Sequence, residues 1–135
     1  MKIFIIFIAV LCLSLISLVA SASTLTSLVT NSQGEQLVAD AYRRTLYVFD
    51  ADLNQTVPAC NGDCAEVWPP YLLTDQDAAS LSGPLGKIIR MNGRQQLTYE
   101  GRPVYTYAYD RSVGDDLGNA VGGVWHSIVV GDIGK

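Results

Sequence analysis

One pattern is written twice in this chain and limits its fold more than any other feature. Tyr47-Val48-Phe49-Asp50-Ala51-Asp52 is followed by Trp68, and Tyr105-Thr106-Tyr107-Ala108-Tyr109-Asp110 is followed by Trp125. Both copies read Tyr-x-aromatic-x-x-Asp, with 21 residues from Tyr to Trp in the first and 20 in the second. An arginine stands three residues before each tyrosine, at Arg44 and Arg102. Internal similarity at this spacing marks a duplicated structural unit, which constrains architecture and names no reaction.

Around each copy the hydropathy alternates with a period near two, in short segments divided by turn residues, the pattern of antiparallel strands. Strands are expected over residues 25–30, 36–41 and 45–49, and again over 87–91, 95–99 and 103–109. Asn31-Ser32-Gln33-Gly34 and Asn92-Gly93 supply the first turn of each meander, residues that tolerate positive φ or hydrogen-bond their own backbone. A fourth extended segment carries the tryptophan, over residues 67–73 and 124–130. Pro69 and Pro70 place the first of these at a sheet edge, since proline donates no ladder hydrogen bond. The polar stretch 74–84 reads as a connector with one helical turn, and no other helix of consequence is expected. A small sheet has one apolar face and nothing to cover it. The fold class expected is therefore all-β, with two four-strand meanders, residues 24–73 and 85–130, packed as one sandwich or partly closed barrel.

The first 22 residues stand apart. Lys2, a long apolar run and the exit Ala20-Ser21-Ala22 describe a secretory signal peptide cleaved after Ala22, leaving one domain over 23–135. A retained membrane anchor is the alternative, because roughly 20 apolar residues span a bilayer. Cys12 lies inside the apolar run after bulky Leu11, which argues against lipidation there. Without Lys2 the net charge of −4 becomes −5. No stripe of cations remains to track phosphates, so neither nucleic acid nor an anionic membrane surface is an expected partner. The expected partner is an unknown extracytoplasmic ligand or protein, with no membrane span once the leader is removed.

Cys60 and Cys64 bracket Asn-Gly-Asp, a turn that brings the two sulphurs together. In an oxidising compartment a structural disulfide is expected, worth about 2 kcal/mol through loop entropy. A redox pair or half of a metal or copper site are the alternatives, although Cys-x-x-Cys is the usual redox spacing and zinc needs four ligands or three plus water, where the mature chain offers two cysteines and the lone His126. The repeated Tyr-x-aromatic-x-x-Asp element, the Cys60 to Cys64 loop and Trp68-Pro69-Pro70 together resemble the bacterial secreted-repeat proteins, often lipoproteins, across residues 37–130. The resemblance implies an exported protein and names no mechanism.

The side chains Tyr47 and Phe49, and Tyr105, Tyr107 and Tyr109, alternate onto shared strand faces. Such rings, with Trp68 and Trp125, either seal the contact between the sheets or line a groove for a flat ligand. Core packing is the preferred reading. Asp52 and Asp110 end their strands where a carboxylate accepts hydrogen bonds from turn amides. Asp50, Asp52 and Asn54 begin like a calcium loop, which then fails at Gln55 and Asn61. A hydrolase using Asp52 and Asp110 as paired acids would need both in one cleft. No Gly-x-Ser-x-Gly turn offers His126 a nucleophile. The glycine-rich stretch 114–123 lacks the Lys-Ser/Thr ending of a phosphate loop, carries Asp115 and Asp116, and precedes a strand, so a surface loop is expected. The expected function is a secreted or periplasmic, non-enzymatic binding or envelope-associated protein without a cofactor. A redox or metal role through Cys60 and Cys64 or the acidic loops is the alternative.

Overall fold

The computed structural model describes residues 24–131. The leader expected over residues 1–22, and its anchor alternative, lie outside the described residues. Among the described residues seven strands form: β1 Thr26–Thr30, β2 Gln36–Asp40, β3 Tyr47–Phe49, β4 Leu85–Ile89, β5 Gln95–Tyr99, β6 Arg102–Pro103 and β7 Trp125–Ser127. Each repeat opens with a hairpin of matched register. β1 pairs β2 from Thr30↔Gln36 to Thr26↔Asp40, and β4 pairs β5 from Ile89↔Gln95 to Leu85↔Tyr99. The turns close as the sequence suggests, with Gly34 N donating to Asn31 O and Gly93 N to Arg90 O, both glycines at φ +82°.

All sheets are small and antiparallel, and no closed barrel forms among the described residues. The joint between the repeats is an exchange of strands. β3 of the first repeat pairs with β7 of the second, Phe49 opposite Trp125 and Tyr47 opposite Ser127. Conversely, Thr106 N donates to Pro69 O and Ala108 N to Val67 O, tying the second motif to the first tryptophan segment. Tyr47 and Tyr105 meet at the centre and exchange backbone hydrogen bonds of 2.8 and 3.0 Å. Each tryptophan segment then continues to the other repeat's hairpin. Val38 N donates to Ile128 O, and Leu97 N donates to Tyr71 O. Of the expected two four-strand meanders packed as a sandwich or partly closed barrel, the two repeats are present, and small antiparallel sheets joined by this interlock connect them.

Three apolar clusters result among the described residues, the smallest being Val29, Leu37 and Ala39 with Val129 against them. Leu25, Val38, Leu46, Val48, Leu73, Leu97, Val104 and Ile128 fill one side of the crossed strands. Tyr47, Trp68, Tyr105, Trp125 and Cys60 fill the other. Period two assigns alternate residues of one strand to the two larger clusters, Leu46 and Val48 to the first and Tyr47 to the second.

Four segments differ from the sequence expectation: the strand expected over 124–130 is regular only at β7, that expected over 87–91 lies two residues earlier at β4, and the other two lie in the crossed joint. The strand expected to start at Val67 is preceded by a helical turn, α1 Asp63–Val67, whose end is fixed by Trp68 N donating to Cys64 O. Only beyond it does the chain extend, bridging Tyr105 at Pro70 and Gln96 at Leu72. The strand expected over 103–109 is regular only at β6 and bridges β3 and the Pro70 segment at Tyr105. The connector holds the expected helical turn, α2 Asp75–Ala79, capped reciprocally by Thr74 and Asp77. Among the described residues no helix is long and apolar enough to cross a membrane.

Candidate functional site

The repeated motif folds into a crosswise lattice at the joint. Tyr47 Oη donates to Asp110 Oδ2 at 2.6 Å, and Tyr105 Oη donates to Asp52 Oδ2 at 2.8 Å. The tyrosine of each copy is thus held by the aspartate of the other. The second oxygen of each carboxylate caps the chain seven residues further on, Asp52 Oδ1 accepting from Ala59 N at 2.7 Å and Asp110 Oδ1 from Leu117 N at 3.0 Å. Both carboxylates are therefore spent on a phenol and an amide.

Burial, with the hydrogen bond to Asp110 next, pushes the Tyr47 phenol far above its ordinary value. Burial and then the Asp52 charge do the same to Tyr105. Both phenols stay protonated donors at any physiological pH. Asp110 is pushed upward by burial, against the opposing pull of the Tyr47 and Leu117 hydrogen bonds.

The rings repeat the crossed arrangement. Trp68 and Trp125 stack at 3.8 Å and 3° at the centre, with Phe49 against Trp125 at 4.1 Å and Tyr107 against Trp68 at 4.2 Å. Tyr47 meets Trp68 edge-on, and Tyr105 meets Trp125 edge-on. Each pair adds about 0.5–1.5 kcal/mol beyond the area it buries. Tyr47 and Tyr105 are 0 % exposed and the tryptophans 5 %, so the rings form a closed core. Phe49 and Tyr107 are partly buried at its edge, and Tyr109, packed edge-on against Tyr107, is exposed.

Outside this core stand the two loops that the aspartates cap. In the first, Cys60 and Cys64 form a disulfide with a Cα separation of 5.3 Å. Cys60 is fully buried against the rings, whereas a redox-active sulphur is ordinarily accessible. Arg90, at the turn of the second hairpin, clamps this loop. Its Nη2 donates to Cys60 O at 2.7 Å and Asn61 Oδ1 at 2.9 Å, and its Nη1 donates to Gln96 Oε1 at 2.7 Å. In the second loop the corresponding clamp is Asn31, whose Nδ2 donates to Asp116 Oδ2 at 3.1 Å. Thr45 Oγ1 donates to the Asp115 carbonyl. The backbone of Gly118 lies against Trp68 and Tyr107, where an added Cβ would stand 2.7 Å from the indole.

The calcium-like start does not assemble. Asp52 is held as described, while Asp50 faces the His126 Nε2 at 3.0 Å. Among the described residues no three His, Cys, Asp or Glu side chains converge as a metal site. His126 is half-exposed and has the Asp50 partner that sequence reasoning missed. Arg90 was missed as well, because a single arginine in a hairpin turn has the signature of a solvated side chain. The repeat arithmetic held the only available signal, since Arg90 stands where the first hairpin has Asn31.

A family model described as a secreted repeat of unknown function matches twice, over residues 27–71 and 86–128. The chain belongs to this family of secreted repeats. No curated protein and no solved structure matches it. Each span matched in the secreted-repeat family runs from the first hairpin past the tryptophan, so the crosswise lattice joins one family repeat to the other. The family description agrees with an extracytoplasmic location.

Proposed function

We propose that this secreted-repeat protein is a non-enzymatic binding or cell-envelope-associated protein, secreted or periplasmic, which meets its partner through the loops following Asp52 and Asp110. One observation carries the reading: the duplicated motif is consumed by the scaffold. Its rings are sealed and its two carboxylates each hold a phenol and an amide, an arrangement that leaves neither acid free for proton transfer. The two loops carry exposed apolar side chains, Leu53 and Val57 on one and Val113, Leu117 and Val121 on the other, and Tyr42 and Met91 are exposed on separate turns. Binding residues are commonly placed on loops held by a rigid scaffold.

Cell fractionation tests the proposal. Producer cells are separated into medium, osmotic-shock fluid and envelope, and the chain is compared with Leu53→Ser/Val57→Ser and Val113→Ser/Leu117→Ser variants. The expected result is that the parent co-sediments with envelope or a soluble partner and that at least one variant, still folded by circular dichroism, is released from it. Identical partition of the parent and both variants would remove the loops from consideration. Thiol titration without reductant separates this reading from a dithiol role, with no free thiol expected in the exported protein.

A further inference from the structure

The duplication supplies an internal control for each position, and it singles out Arg102. In the first repeat, Arg44 turns its guanidinium onto Asp40, with Nε donating to Asp40 Oδ2 at 2.7 Å and Nη2 at 2.7 Å from the same oxygen. Asp40 ends the β1–β2 ladder opposite Thr26, and its counterpart at the end of the β4–β5 ladder is Tyr99, opposite Leu85. The second repeat therefore keeps the arginine and replaces its carboxylate with a phenol.

Arg102 is correspondingly short of partners. Its Nη2 stands 3.5 Å from Phe49 O and 3.7 Å from Asp50 Oδ1, both long for a charge-assisted contact of about 2.7–2.9 Å. Its Nε has no hydrogen-bond partner among the described residues. Asp50 is drawn instead to His126 Nε2, at 3.0 and 3.1 Å from its two oxygens. This asymmetry is confined to one face. The counterparts of Asp50 and His126 by strand register are Ala108 and Pro69, which bear no charge.

Arg102 lines a cavity of about 270 Å³, together with Tyr99, Glu100 and His126 and a floor of Val48, Ile128 and Val129. Apolar side chains with a few polar groups among them, here including Ser127, are the usual lining of a small-molecule site. We propose that this cavity binds a small organic carboxylate, its head on the Arg102 guanidinium and its apolar body on Val48, Ile128 and Val129. The ligand takes the place that Asp40 holds in the other repeat. Glu100 at the rim and Asp50 disfavour doubly charged anions, so the class is a monocarboxylate on a short apolar chain. This site is separate from the two loops, and its failure would leave the envelope-binding reading intact.

The probes are butyrate and phenylacetate, with butyramide as the uncharged match, titrated into the full chain while the Arg102 Nε–H and His126 ring signals are followed by NMR. Both carboxylates are expected to shift these signals, and butyramide to bind at least about tenfold more weakly, as loss of one charge-assisted contact implies. Arg102→Gln should weaken butyrate by at least about tenfold, with Arg102→Lys intermediate because it keeps the charge without the fork. Tyr99→Asp installs the internal carboxylate of the first repeat and should abolish binding with Arg102 still present. Circular dichroism on each variant separates a lost site from a lost fold. Equal binding of butyrate and butyramide, undiminished butyrate binding by folded Arg102→Gln, or no shift into the tens-of-millimolar range would each overturn the proposal.

Discussion

The loop after Asp52 and the loop after Asp110 leave the scaffold alike and are fastened differently. Both are caught seven residues on by their aspartate, and both aspartates are gripped by the tyrosine of the opposite repeat. The next residue is buried in each, but it is Cys60 in the first loop and Gly118 in the second. One loop adds a covalent bridge and a buried arginine, while the other relies on close approach of glycine backbone to Trp68 and on Asn31. The shared anchors set where a loop departs and returns. Everything between them can change once those are met.

The comparison predicts the largest loss where both loops depend on one side chain. Trp125→Ala removes the centre of the ring stack and should cost about 3–5 kcal/mol in chemical denaturation, with amide-exchange protection falling in both loops. Gly118→Ala drives a Cβ into two stacked rings that cannot yield, and overpacking of this kind costs about 1–3 kcal/mol. Its effect should centre on the second loop, and an unchanged denaturation midpoint would refute the close packing. Removing the bridge with Cys60→Ser/Cys64→Ser should cost about 2 kcal/mol and loosen only the first loop.

Crosswise anchoring gives a sharper outcome. Tyr47→Phe should cost about 1.5 kcal/mol, the low end for a hydrogen bond to a charged group, and raise exchange at Leu117 in the second loop. Tyr105→Phe should raise it at Ala59 in the first. Exchange rising in the mutated repeat's own loop would contradict the exchange of partners.

The smallest effect is the pH dependence of Asp110. Burial raises its folded-state value, so the native state binds the proton more readily than the unfolded chain does. Its contribution to stability is fully present below the unfolded carboxylate value and is lost as pH rises through the folded one. Denaturation midpoints across the acidic range should therefore show the parent losing stability relative to Asp110→Asn as pH increases. A constant difference between the two would disprove the shift.

The sequence made the local elements readable and left their partners hidden. Asn92-Gly93 with alternating Gln95–Tyr99 declared the second hairpin, and β5 occupies those residues. The Cys60–Cys64 disulfide followed from spacing and compartment. Period two places Tyr47 and Phe49 on one face yet carries no information about which strand lies opposite, and here that strand begins 76 residues after Phe49, at Trp125. The near-equal spacing of the copies, 21 and 20 residues from Tyr to Trp, carries no information about which repeat supplies the partner strand. α1 escaped notice because five residues are too few for a helical period, and its Cys64 is bonded to Cys60 outside the helix.

The exchange of phenol and carboxylate has a consequence for ancestry. A gene encoding one repeat would produce a polypeptide whose tyrosine and aspartate had no mates within the molecule, and a second copy of the same product would have to supply them. The present chain is in effect such a homodimer written as a single reading frame, with the stretch through Thr74 and α2 as its splice. Holding both repeats in one chain fixes their stoichiometry and lets each differ from the other, as Arg44 with Asp40 and Arg102 with Tyr99 do, which a symmetric pair of identical subunits is unable to do.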